Sequence, residues 1–175
     1  DNNLLREYLK DMFLLSSNRG KEASGLAIRH NNEITVLKKG LPYNLFIKSR
    51  DYAEYIQENL NSIKDKKNVS IIGHTRLSTN GSGNFDLNNH PIIAHNIVGI
   101  HNGIVTDCRE SNTSLLKDTN NSDSEFLFNY IDTLSKKYKG NYKKSIEHTF
   151  ENLSGSASIA FFVKDEPYLC LASNT

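Results

Sequence analysis

The run Ala23-Ser24-Gly25-Leu26-Ala27-Ile28, then His30-Asn31-Asn32, then Ile34-Thr35-Val36-Leu37, sets the fold class. Two short apolar runs flank a polar turn that is too short for a parallel crossover, so the spacing predicts an antiparallel hairpin. Upstream, Leu4, Leu5, Tyr8, Met12 and Leu15 fall at helical spacing behind the capping oxygens of Asp1, Asn2 and Asn3, which predicts a helix over 4–18. Downstream, Tyr52, Tyr55, Ile56, Leu60 and Ile63 predict a second helix over 51–63, ended by the solvated charge run Lys64-Asp65-Lys66-Lys67.

The same pattern of short runs continues to the end of the chain. A strand is expected over 69–75, then an Asn/Gly/Ser-rich loop over 78–89, then strands over 91–94 and 97–100. Ser122 stands three residues before Glu125, the spacing of a capping box, and Phe126, Tyr130, Ile131 and Leu134 carry the helix that follows. A further helix is expected over 142–153, and strands over 157–163 and 168–172 joined by Lys164-Asp165-Glu166-Pro167. Most of the strand connections are too short for parallel crossovers, and no internal repeat is visible, so the class is α+β with antiparallel sheets.

Composition narrows the function. The chain has 175 residues, the size of a single domain over 1–175, and 37% of them are hydrophobic before glycine is counted. Lys+Arg 21 against Asp+Glu 20 leaves a net charge of +1, with no field to draw nucleic acid or an anionic membrane, and neither is expected as a partner. No apolar run approaches the roughly 18 residues of a membrane helix. Two cysteines, Cys108 and Cys170, cannot staple a secreted scaffold and suit a reducing, cytoplasmic setting. Cys170 sits in an apolar strand pattern, and the neighbours of Cys108 supply neither a cationic helix start nor a fixed histidine partner, so neither reads as a nucleophile. His74, His90, His95 and His101 match no short ligand spacing, and no metal or cofactor is expected. Asp1 is not an initiator Met, so the numbering is expected to begin inside a longer or processed polypeptide.

Two constellations carry chemistry. Gly73-His74-Thr75-Arg76-Leu77-Ser78-Thr79-Asn80-Gly81 places an arginine where a strand runs into a loop; it is either a solvated surface arginine or a guanidinium fork for a carboxylate or phosphate. Gly99-Ile100-His101-Asn102-Gly103-Ile104-Val105 contains Asn-Gly between apolar positions. That is a strong signal for a type I′ hairpin turn. It equally suits a pair of donors, the Asn102 amide and the Gly103 N–H, aimed at one developing oxyanion.

Taken in order, these segments resemble the glutaminase domain of class II glutamine amidotransferases, which are hydrolases with an N-terminal nucleophile. The resemblance rests on Arg19-Gly20, Ser24-Gly25-Leu26-Ala27, Gly73-His74-Thr75-Arg76 with Ser78-Thr79 and Gly81, and His90-Pro91. It continues through His101-Asn102-Gly103-Ile104, Ser122-Asp123-Ser124-Glu125 and Leu153-Ser154-Gly155. The chain departs from the family at Leu77, where an aromatic is common, and at Asn80, where one branch has histidine. Those departures leave the acceptor of the nitrogen unspecified.

The resemblance implies a four-layer αββα sandwich of two antiparallel sheets flanked by helices. It implies that Arg76 grips the α-carboxylate of L-glutamine with help from Thr79, that Asp123 holds the α-ammonium, and that Asn102 and Gly103 are the oxyanion donors. Arg19 would brace the site. It also implies that an N-terminal cysteine, acting with its own α-amine, hydrolyses glutamine to glutamate and ammonia for a fused or separate synthase domain. That cysteine and its strand are not in this sequence, and the C-terminal end of the domain is expected to be missing too. These residues alone are therefore expected to be inactive as a glutaminase. Two alternatives remain: a degenerate amidotransferase-like module that binds without hydrolysis, and a related hydrolase acting on another amide.

Overall fold

The structure, a computed structural model, describes residues 2–18, 20–63, 69–77, 88–109 and 122–174. They form two compact units, Asp1–Pro91 and Ile92–Thr175. The first contains α1 (Asn2–Ser16), β1 (Ala23–His30), β2 (Glu33–Lys39), α2 (Tyr43–Phe46), α3 (Arg50–Ser62) and β3 (Val69–Arg76). Its antiparallel sheet has the order β2-β1-β3. The expected hairpin is present: His30 pairs with Glu33, leaving Asn31-Asn32 as a two-residue turn, and Asn31 takes the positive φ of 55° that such a turn requires.

Central β1 is buried along its length up to Arg29, whereas β2 at the edge is half-buried. The helices supply the cover. Leu9 and Phe13 of α1 and Tyr52, Ile56 and Leu60 of α3 close a core with Leu26, Ile28 and Phe46. Ser49 caps α3 by accepting the Tyr52 N–H at 3.2 Å. The single turn α2 is not legible in the sequence, because four residues are too few to show a period. It nonetheless buries Phe46 completely, edge-on to Tyr52 with ring centroids 5.3 Å apart.

The second unit contains β4 (Ile92–Ala94), β5 (Ile97–Cys108), α4 (Asp123–Lys137), α5 (Tyr142–Asn152), β6 (Leu153–Val163) and β7 (Leu169–Ser173). Its antiparallel sheet runs β4-β5-β6-β7. Leu127, Phe128 and Ile131 of α4 share a core with Ile97, Ala157, Ile159 and Phe161 of the strands. Ser122 caps α4 as expected, accepting the Glu125 N–H at 3.1 Å.

The central ribbon is longer than its apolar pattern indicates. β5 runs to Cys108 instead of ending at Ile100, and β6 starts at Leu153, ahead of the expected 157. The twelve residues of β5 pair with the eleven of β6, and a bulge between Val105 and Asp107 takes up the extra residue. Asn102 and Ser156, polar enough to read as loop, belong to this ribbon. The chain is α+β with two antiparallel sheets and their helices, as expected. The charge run at 64–67 and most of the polar loop after Leu77 lie outside the described residues.

Candidate functional site

Arg76 closes β3, pairing with Ala23, and its carbonyl accepts the Glu22 N–H at 3.1 Å. Its side chain does not lie on the surface: the residue is 8% exposed, and Nη1 donates to Asn89 Oδ1 at 3.1 Å. This corrects the solvated-surface reading. A guanidinium anchored inside the fold offers its planar donors in one orientation, which is what bidentate carboxylate recognition needs. Asn89 is completely buried and directly precedes the cis His90-Pro91 bond. Nothing in a polar Asn-rich loop distinguishes Asn89, so sequence reasoning passes over it. Thr75 fastens the same strand end to α1, its hydroxyl donating to the Ser16 carbonyl at 2.8 Å. Arg19 and Thr79 lie outside the described residues.

Asn102-Gly103 is not a hairpin turn. Both residues sit inside β5, opposite Ser158 and Ala157, and the chain instead reverses at His95-Asn96, where Ala94 pairs with Ile97 and His95 has φ 47°. Gly103 has φ +148°, and a Cβ there would run into the Ser156 carbonyl. Glycine is therefore required by the strand crossing itself.

The ladder fixes where the Gly103 N–H points. Across β6, Ala157 turns its backbone groups away from β5: its N–H goes to Asn174 Oδ1 at 2.7 Å and its carbonyl accepts the Asn174 N–H at 3.1 Å. Gly103, opposite Ala157, therefore belongs to a pair without mutual hydrogen bonds and turns its own N–H and C=O to the other edge. Along that edge β4 pairs only with 97–99, and among the described residues no strand continues beyond it.

Val105 lies two residues further along and turns its N–H away from β6 as well, and there it meets a carboxylate: it donates to Asp123 Oδ2 at 3.1 Å. Asp123 is the first residue of α4, where the unpaired N–H groups of a helix start favour negative charge. Its Oδ1 accepts the Ser124 N–H at 2.8 Å. Alternation along β5 sends His101 inward, 4% exposed with Nδ1 2.9 Å from Ser124 Oγ, and leaves Asn102 and Ile104 exposed on the opposite face. Burial holds the His101 imidazole below its ordinary pKa, against the opposing pull of the Asp123 charge and the Ser156 backbone.

The structure thus brings Asn102, Gly103 and Asp123 together on β5 and the start of α4, while Arg76 with Asn89 belongs to the first unit. Cys108 is completely buried and Cys170 half-buried. Among the described residues no group of three or more His, Cys, Asp or Glu is placed to hold a metal ion. No described helix is long and apolar enough to cross a membrane.

No protein-family profile matches the chain. It is 27% identical over 162 residues to glutamine–fructose-6-phosphate aminotransferase (isomerizing) of Caldanaerobacter subterraneus subsp. tengcongensis, a match covering 89% of this chain and 24% of that protein. It is 30% identical over 161 residues to the enzyme of the same name from Buchnera aphidicola subsp. Baizongia pistaciae, covering 88% and 24%. The chain therefore spans about a quarter of the length of the curated relatives it matches. In fold it is similar to the glutamine phosphoribosylpyrophosphate amidotransferase from B. subtilis, with TM-score 0.61, 19% identity, and coverage of 97% of this chain and 34% of that one. The similarity in sequence and the similarity in fold converge, and the chain is similar to the glutaminase domain of the class II glutamine amidotransferases that its motifs resemble.

Proposed function

We propose that the chain is a glutaminase domain that hydrolyses the side-chain amide of L-glutamine to glutamate and ammonia, the ammonia passing to a fused or separate synthase domain. The observation that carries this reading is the order of groups along one edge of β5: the Gly103 N–H, then, two residues on, the Asp123 carboxylate held by the Val105 N–H. At about 3.4 Å per residue the two strand positions are roughly 7 Å apart. That is comparable with the span of an extended glutamine from its α-ammonium to its side-chain amide.

Each group then has one task. Asp123 takes the α-ammonium, and the resemblance gives the α-carboxylate to the fork of Arg76 with Thr79 assisting, the two charges that recognition of a free amino acid needs. The Gly103 N–H and the Asn102 amide donate to the amide oxygen as it becomes an oxyanion. In the family the chain resembles, the nucleophile is an N-terminal cysteine whose own α-amine serves as base, and the same role is proposed for such a cysteine in the full-length protein; Cys108 is completely buried. The thiolate adds to the amide carbon, the amine's proton leaves with ammonia, and water then releases glutamate from the thioester. Arg19 braces the site.

The test is glutamate and ammonia release by the full-length protein from L-glutamine, set against L-asparagine and other amides. Release from glutamine alone supports the reading. Glutamine binding without release would make the domain a recognition module, and preferred cleavage of another amide would make it a different hydrolase of the same fold.

A further inference from the structure

β5 and α4 are joined at two points that bracket Asn102 and Gly103. Before them, His101 Nδ1 lies 2.9 Å from Ser124 Oγ; after them, the Val105 N–H reaches Asp123 Oδ2 at 3.1 Å. The two helix residues are consecutive, and Ser124 Oγ is also 3.3 Å from Asp123 Oδ1. His101, Ser124, Asp123 and Val105 therefore form a hydrogen-bonded clamp across the strand and the helix start. His101 and Ser124 are 4% and 3% exposed. His101 Nε2 is also enclosed, on the side of the Ser156 backbone.

A residue that only fills space here does not need to be histidine. An apolar side chain of similar size would avoid the cost of taking a polar ring out of water. What the imidazole adds is direction: its Nδ1 engages one hydroxyl on the first turn of α4.

We propose that His101 is a positioning residue that acts through Ser124. It fixes the first turn of α4, and with it the Asp123 carboxylate, relative to the Asn102 and Gly103 donors on the adjoining strand residues. The clamp sets the distance between the carboxylate that holds the substrate's ammonium and the donors that polarise its amide. The inference rests on the glutaminase reading of these residues.

The experiment compares Ser124→Ala, His101→Leu, the double variant and His101→Asn in the full-length protein. The readouts are glutamine affinity by calorimetry, KM and kcat for glutamate release, and melting temperature. Ser124→Ala removes only a hydroxyl and should raise the glutamine Kd and KM roughly three- to tenfold, the worth of one hydrogen bond, with a smaller change in kcat. Adding His101→Leu should cost little more, because the two side chains act as one unit. His101→Asn keeps a hydrogen-bonding atom near the Nδ1 position and should recover most of the affinity.

Unchanged Kd and KM in Ser124→Ala, or fully additive losses in the double variant, would overturn the proposal. So would a lowered melting temperature with KM untouched. If His101→Leu does not fold, Ser124→Ala alone and combined with His101→Asn still decides it. A wild-type protein that neither binds nor cleaves glutamine refutes the underlying reading instead, and that result shows before any variant is made.

Discussion

Val105 donates its backbone N–H to Asp123 Oδ2 at 3.1 Å, so a helix-end carboxylate takes a hydrogen bond that a neighbouring strand would otherwise accept. The position of that carboxylate is set by main chain on both sides, by Val105 through one oxygen and by the Ser124 N–H through the other. A side chain held in this way gives up little freedom when it takes up a cation.

Asp123→Asn keeps the shape and one acceptor but removes the charge. In the full-length protein the KM for glutamine is expected to rise roughly 10- to 100-fold, the worth of a charge-assisted hydrogen bond, with kcat much less affected. Steady-state kinetics check this. An unchanged KM would mean that the ammonium is held elsewhere.

Asn102→Ala separates chemistry from folding. The side chain is exposed, on the face of β5 opposite His101, so the unfolding free energy should move by no more than about 0.5 kcal/mol. If its amide donates to the oxyanion, kcat should fall roughly 10²- to 10³-fold. A normal kcat with normal stability removes Asn102 from the mechanism.

Arg76→Lys tests the fork against the charge. Lysine keeps the positive charge but cannot hold the Asn89 contact and a carboxylate in one plane. A KM rise of roughly tenfold or more is expected, with affinity for the decarboxylated analogue of glutamine affected far less. Equal losses for both ligands would show that Arg76 does not read the carboxylate.

How much of this is legible in the sequence depends on how far each feature is local. The hairpin of β1 and β2, the capped start of α4 and the helices α1, α3 and α5 follow from period and caps within a few residues, and all are present. Asn102-Gly103 shows the limit. The dipeptide is a strong local turn signal, yet pairing with β6 over the whole of β5 keeps it in a strand, and only the φ of Gly103 records the special backbone. Asn89 and the His101–Ser124 contact were invisible for a related reason, since each is made by residues 13 and 23 positions apart. The motif order singles out Arg76 and Asp123 as candidates; only the three-dimensional structure supplies what orients them.

His101 should also make the fold sensitive to acid. Burial lowers its pKa below the ordinary 6.5, and Asp123, the charged group facing it, pulls the other way without prevailing. In the unfolded chain the imidazole takes up a proton near 6.5, whereas in the folded chain it does so only at lower pH. Between those two values the unfolded state binds more protons, so the unfolding free energy falls as the pH falls. The contribution is complete above about pH 6.5 and is lost as the pH drops through the folded value. Urea unfolding at a series of pH values from about 7.5 down to 5 should show this decline. His101→Asn, which has no proton to gain, should show a shallower one. The difference between their slopes then reports His101 together with the Asp123 charge that faces it. Parallel slopes would mean that the imidazole titrates in the fold as it does in the unfolded chain.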